Sequence, residues 1–124
     1  MQILAVLFAV ILTVLSWRPL RKLSPGSVLL VIPPIEEGAK ALAAWSFAVP
    51  IFPVHLGFGL AEAFFELARR KPAAALAAVI THGLFGLGAL WASAWGQLAA
   101  LGCALVLHFL WNFFIYRLQL KRGI

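Results

Sequence analysis

Apolar runs fill almost the whole chain, and only short basic or proline- and glycine-marked breaks interrupt them. The hydrophobic fraction is 64%, the charged fraction is 11% and the mean hydropathy is +1.01. A soluble domain is about half apolar and about a quarter charged. This chain therefore lacks the polar residues needed for a water-soluble surface, and we expect an integral membrane protein surrounded by the lipid bilayer.

The apolar runs predict transmembrane helices, because about 20 apolar residues are needed to cross a bilayer as a helix. The breaks between the runs divide them into spans at about residues 3–17, 27–49, 54–68, 73–91 and 98–116. We read the first run as a retained helix, since it lacks the basic start of a secretory signal. The sequence thus predicts one all-α domain over residues 1–124, a polytopic membrane bundle of about five transmembrane helices.

The basic residues predict the orientation of this bundle. All ten Lys and Arg except Lys40 lie in clusters after the first, third and fifth spans, namely Arg18, Arg21 and Lys22, then Arg69, Arg70 and Lys71, then Arg117, Lys121 and Arg122. Consecutive spans alternate in direction, so the clusters share one side, which the positive-inside rule assigns to the cytoplasm. We expect a multi-pass cell-membrane protein with its amino terminus outside and its carboxyl terminus cytoplasmic. Because the clusters only punctuate apolar runs, no nucleic-acid partner is expected.

The four acidic residues all lie inside predicted spans. Glu36 and Glu37 belong to the second span, and Glu62 and Glu66 to the third. An ionisable group at mid-bilayer costs at least about 2.5–3.5 kcal/mol, so such residues usually face the bundle interior and mark a functional site. Glu66 lies within one turn of Arg69 and can reach the interface, which indicates a structural role.

Several polar residues share one predicted depth. Glu36, His82 and His108 lie eight or nine residues from the cytoplasmic ends of their spans, which places all three roughly 12–14 Å into the bilayer at about 1.5 Å per residue. Asn112 follows His108 on the same helical face, and Glu62 approaches the same layer. We therefore expect these groups to converge on one cavity, with Glu62 at its edge.

The second span carries the remaining charge. Lys40 follows Glu36 by four residues and Glu37 by three, so it can pair with either carboxylate. Adjacent glutamates point about 100° apart on a helix, so at most one is expected to face the histidines while the other pairs with Lys40 or a backbone group. Pro33 and Pro34 remove two backbone donors and predict a kink or a break in this helix. His55, near the outer end of the third span, is expected to be an interfacial histidine without a special role.

Four short segments around these polar residues resemble, in order, the motifs of the PrsW family of bacterial intramembrane proteases. This family is related to the CAAX prenyl endopeptidase and bacteriocin-processing group. The four segments are Pro-Ile-Glu-Glu-Gly-Ala-Lys ending at Lys40, Gly-Phe-Gly-Leu-Ala-Glu ending at Glu62, Thr-His-Gly around His82, and His-Phe-Leu-Trp-Asn from His108 to Asn112. The resemblance covers residues 34–113. The family usually has asparagine after the second-motif glutamate, where Ala63 stands here.

The resemblance implies an intramembrane peptidase that acts on a membrane-protein or peptide substrate. By this analogy Glu36 or Glu37 is the general base for water, His82 assists the base, and His108 and Asn112 stabilise the oxyanion. Lys40 and Glu62 have supporting roles.

The participation of a metal is left open by the sequence. Glu37, His82 and His108 would make a three-ligand zinc site with an open position for water, while metal-free glutamate chemistry explains the same residues equally well.

Two other functions also explain ionisable residues inside a membrane. A small ion or proton transporter uses such groups as a relay and predicts a continuous polar path. A non-catalytic homologue that acts as a binding or immunity protein would retain the helical bundle without catalysing a reaction. The single polar layer favours a closed site over a transport path.

Overall fold

The structure is a computed structural model that describes residues 1–20 and 25–122. Over these residues the chain forms five α-helices and no β-strand, which confirms the all-α prediction. The helices are α1 (Gln2–Leu20), α2 (Pro25–Ser46), α3 (Ile51–Ala68), α4 (Pro72–Ala92) and α5 (Gln97–Arg122), and a 3₁₀ turn at Ser93–Trp95 joins α4 to α5. Arg21, Lys22 and Ser24 of the predicted first basic loop lie outside the described residues, as do the side chains of Trp17 and Arg18.

Three helical segments are long and apolar enough to cross a membrane, namely Ile51–Ala68, Pro72–Trp95 and Gln97–Lys121. Their outer surfaces expose large apolar side chains such as Leu60, Phe64 and Leu98. Exposed apolar surface on this scale is typical of contact with lipid. The protein is therefore a helical membrane protein, whereas five passes and the orientation of the termini stay predictions.

Helix α2 differs from these three apolar segments because it carries three charged side chains that are buried inside the bundle, namely Glu36, Glu37 and Lys40. The helix is continuous through Pro33 and Pro34, so a break, one of the two predicted effects of these prolines, does not occur. Membrane helices tolerate proline where neighbouring helices and local adjustments satisfy the freed backbone groups. The charged residues consequently project from one continuous helix.

Consecutive helices run in opposite directions. Glu66 near the end of α3, Ala74 near the start of α4 and Ile115 in the second half of α5 line one cavity. Trp45 near the end of α2 and Gln97 at the start of α5 line another cavity at the opposite end. The basic residues after α3 and in the last turns of α5 thus lie at the same end of the bundle, as the alternation of the clusters predicts.

Glycine residues allow α3 and α4 to pack closely around two histidines. A Cβ atom at Gly59 would lie 2.8 Å from the Cβ of His82, and one at Gly86 would lie 2.7 Å from the Cβ of His55. Both distances are too short for a side chain, so each glycine makes room for a histidine from the facing helix. Close packing between α3 and α4 in this way sets the position of the candidate site.

Candidate functional site

The carboxylate of Glu37 is the centre of a buried hydrogen-bond network. It accepts hydrogen bonds from three side chains on three helices. Lys40 Nζ of α2 lies 2.5 Å from Oε1, and His108 Nδ1 of α5 lies 2.8 Å from the same oxygen. His55 Nε2 of α3 lies 2.7 Å from Oε2. Both carboxylate oxygens are therefore occupied, and Glu37 joins α2, α3 and α5.

The ammonium group of Lys40 is completely buried and has three neighbours. Besides Glu37, it lies 3.2 Å from His82 Nδ1 and 4.6 Å from the ring centre of Phe58. An ammonium can only donate, so His82 accepts at Nδ1 and carries its proton on Nε2. That Nε2 group donates to Glu62 Oε2 at 2.8 Å. Lys40 and Glu62 thus fix the tautomer of His82 from both sides.

His55 belongs to this network, and its predicted interfacial position is wrong. Its side chain is only 1% exposed. Its Nε2 faces Glu37, and its Nδ1 faces the Ile51 carbonyl oxygen at 3.2 Å. Both neighbours offer acceptor oxygens, so His55 is held by a hydrogen-bond partner on each side of its ring.

The sequence contained a signal for His55. His55, Gly59 and Glu62 follow an i, i+4, i+7 spacing, which places them on one helical face. Helix α3 also begins at Ile51, earlier than predicted, because proline is tolerated in the first turn of a helix. His55 therefore lies inside the helix rather than at its end, and Gly86 gives it room.

Glu36 has a different environment from Glu37. Its carboxylate is also buried, but its nearest ion-pair partner among the described residues is His108, with 3.9 Å between Glu36 Oε2 and His108 Nε2. This gap is too long for a direct hydrogen bond, yet one small group can contact both atoms. The expectation that one glutamate faces the histidines while the other pairs with Lys40 is therefore only half right, because Glu37 does both.

The main cavity has a volume of about 530 Å³ and receives polar groups from four helices. Its polar lining includes most of the predicted site, namely Glu36, Glu62, His82, His108 and Asn112. Glu62 lies at the edge, as expected, with its side chain 41% exposed. Glu37 does not line this cavity. It lines, with His55, a second cavity of about 320 Å³ that opens at the other end of the bundle.

Comparison with protein families, with curated proteins and with solved structures finds no match to this chain. The resemblance to the PrsW family therefore stays a prediction.

The buried charges of the site offset one another. Lys40 and His55 contact Glu37 directly. His108 lies between Glu36 and Glu37, with a carboxylate oxygen near each ring nitrogen. Buried ions are tolerated only when they are paired and hydrogen-bonded. These charges therefore have to be kept together, which makes the network sensitive to removal of any one member.

A zinc site of the predicted composition does not fit this arrangement. Donor atoms of Glu36, Glu37 and His108 lie within 4.8 Å of one another, whereas both nitrogens of His82 are turned to Lys40 and Glu62. Both oxygens of Glu37 already accept hydrogen bonds, one of them from the ammonium of Lys40, which would repel a metal cation. Within this group of three, Glu36 and His108 Nε2 remain available as metal ligands, fewer than the three protein ligands of catalytic zinc sites.

Asn112 and Glu66 complete the surroundings of the main cavity. Asn112 lies one turn after His108 on α5 and lines the cavity with it, so its amide can donate to a group bound near His108. Glu66 lies near the end of α3 that carries the basic residues and accepts a hydrogen bond from Arg69 Nη1 at 2.8 Å, in agreement with its predicted structural role.

Proposed function

We propose that the protein is an intramembrane peptidase, similar to the PrsW family, that hydrolyses peptide bonds in or near the membrane with Glu36 as the general base. The observation that carries this proposal is the position of Glu36, whose buried carboxylate lines the main cavity 3.9 Å from His108 Nε2. Glu37 is unsuited to the role of base because its oxygens are already occupied.

The proposed reaction begins with a water molecule hydrogen-bonded to Glu36. Glu36 takes one proton from this water, and the oxygen attacks the carbonyl carbon of the substrate. The negative oxygen that forms is stabilised by donors at fixed positions, which are His108 Nε2–H and the Asn112 amide. Collapse of the tetrahedral intermediate breaks the C–N bond, and Glu36 gives its proton to the leaving amine.

Glu37 acts behind His108 in this mechanism. It accepts a hydrogen bond from His108 Nδ1, which fixes the ring orientation and stabilises its positive form, much as an aspartate does for the histidine of a catalytic triad. His82 points its nitrogens to Lys40 and Glu62, so it positions these two residues and forms part of the cavity wall. Its predicted role as a direct assistant to the base is thus replaced by a positioning role in this proposal.

The test compares two glutamate variants of the full protein in lipid vesicles with model transmembrane peptides. Glu36→Gln keeps the size of the side chain and should lower cleavage on the order of 10²–10⁴-fold, because the amide cannot accept the proton. Glu66→Gln is the matched control, since Glu66 pairs with Arg69 away from His108, and should cleave at the normal rate. Equal activity of wild type and Glu36→Gln contradicts the proposal.

The second cavity supports proton transport as a second candidate function. It reaches Glu37 and His55 from the end of the bundle opposite the main cavity, and hydrogen bonds of 2.7 and 2.8 Å lead from His55 through Glu37 to His108. Transport would move protons along this line in vesicles that carry a pH-sensitive dye and a membrane potential. The contact between Lys40 and Glu37 opposes this function, because it stabilises the carboxylate that a relay has to protonate.

A further inference from the structure

A third cavity, between α1 and α3, reaches the same carboxylates as the main cavity. It has a volume of about 300 Å³, and its lining includes Glu36 and Glu62 together with Val10, Thr13, Phe58 and Phe65. The main cavity reaches Glu36 and Glu62 from the side of α4 and α5. Glu36 therefore borders cavities on two sides of the bundle.

Thr13 gives this third cavity an unusual polar group. Its side chain is 2% exposed, and its Oγ1 has no hydrogen-bond partner among the described residues. Ser16 and Thr81 show the usual solution for a hydroxyl in a membrane helix, since each donates to the carbonyl oxygen one turn earlier, at 2.8 Å. A buried hydroxyl without a partner is unfavourable, so the Thr13 hydroxyl is available to a bound molecule.

The chemistry of peptide hydrolysis inside a membrane explains why such a group is useful. A peptide bond has to leave the helical conformation before it reaches a base, and its neighbouring N–H and C=O groups then lack partners. In an apolar environment each unpaired group costs several kcal/mol. A hydroxyl can both donate to a carbonyl and accept from an N–H group, so Thr13 can bind the backbone of an extended segment.

Building on the proposed peptidase function, we propose that the third cavity and the main cavity form the two halves of one substrate cleft that crosses Glu36. An extended substrate segment enters between α1 and α3, where Thr13 binds its backbone. It passes Glu36 and continues towards α4 and α5. The apolar walls formed by Val10, Phe58 and Phe65 select apolar side chains on the α1 side of the cleaved bond.

The cleft is tested by photo-crosslinking with Glu36→Gln protein in lipid vesicles, so that bound peptide is not cleaved. The probe is a transmembrane peptide of leucine and alanine with photoreactive residues on both sides of its centre. We expect labels on both halves, at Val10 or Ala61 in the third cavity and at Ala77 or Ala78 in the main cavity. Thr13→Val should lower the labelling of the third cavity about three- to tenfold, as expected for one lost hydrogen bond.

Two matched variants separate the hydroxyl from other effects. Thr13→Ser keeps the hydroxyl and should label like the parent protein, and Ser16→Ala removes a hydroxyl of the same helix that bonds its own backbone and should also have no effect. Labels confined to the main cavity, no labels at all, or equal labelling in Thr13→Val overturn the cleft.

Cleavage of the same peptide by the wild-type protein reports the peptidase function separately. Cleavage combined with labels in the main cavity alone overturns the cleft and leaves the function. Labels in both cavities without any cleavage overturn the function and leave a peptide-binding cleft.

Discussion

Glu36 and Glu37 are adjacent in the chain, yet their carboxylates line cavities that open at opposite ends of the bundle. The regular helix α2 turns about 100° between them, so Glu37 faces the cluster of Lys40, His55 and His108 while Glu36 faces the main cavity. The two glutamates consequently have different roles in our account. Glu36 reacts, and Glu37 holds the donors in place.

Replacement of Glu37 should affect stability more than replacement of Glu36. Glu37→Gln removes the negative charge between Lys40 and His55 and leaves the buried ammonium of Lys40 without its counterion, which is expected to destabilise the protein by about 3–5 kcal/mol. Glu36→Gln removes no direct hydrogen bond, since its 3.9 Å contact with His108 is too long for one, and should unfold closer to the wild type than Glu37→Gln does. Thermal unfolding in detergent, followed by circular dichroism, checks the difference. Equal unfolding midpoints for the two variants contradict the central position of Glu37.

His55 should be important for stability and activity, although none of the four sequence motifs includes it. His55→Ala leaves Oε2 of Glu37 without its donor, which is expected to cost about 1–3 kcal/mol of stability and to lower activity through Glu37 and His108. His55→Gln keeps a donor on a side chain of similar reach and should recover part of the loss. Unfolding and cleavage are measured on the same preparations, and a silent His55→Ala variant is inconsistent with the network.

Glycine substitutions on α4 test how the histidines are positioned. A Cβ at Gly86 would collide with His55, whereas a Cβ at Gly83 meets nothing within 4 Å. Gly86→Ala is expected to destabilise the protein by about 1–3 kcal/mol through overpacking, while Gly83→Ala should be neutral or stabilise by up to about 1 kcal/mol. Chemical unfolding of the two variants gives the comparison. A Gly83→Ala variant that loses stability while Gly86→Ala does not would contradict this packing.

The hydrophobic pattern and the basic clusters were enough to predict the helices and their alternating directions. The common depth of Glu36, His82 and His108 also predicted their common cavity, because rise per residue converts position in the chain into depth. The rotation of each helix was harder to predict, since it depends on which small residues allow close packing. Gly86 of α4 makes room for His55 of α3 and so places it in the network. A hydropathy pattern identifies each helix separately and does not predict such a contact between two helices.

The distinction between the two glutamates also depended on the structure. Spacing alone allowed Lys40 to pair with Glu36 or Glu37, and only the positions of α3 and α5 decide that His55 and His108 join Lys40 on Glu37. Likewise, the unpaired hydroxyl of Thr13 follows from the packing of α1 against α3 and has no sequence signature.

The most direct test of the central claim is peptide cleavage in water enriched in oxygen-18, with wild-type protein and Glu36→Gln in matched lipid vesicles. A hydrolase transfers one oxygen from water to the new carboxyl terminus, so mass spectrometry identifies both the cleaved bond and the reaction. Our account predicts labelled fragments from the wild type and a rate lower on the order of 10²–10⁴-fold for folded Glu36→Gln. Labelled fragments formed at the same rate by both proteins, or no labelled fragment from the wild type with any transmembrane peptide, would contradict it.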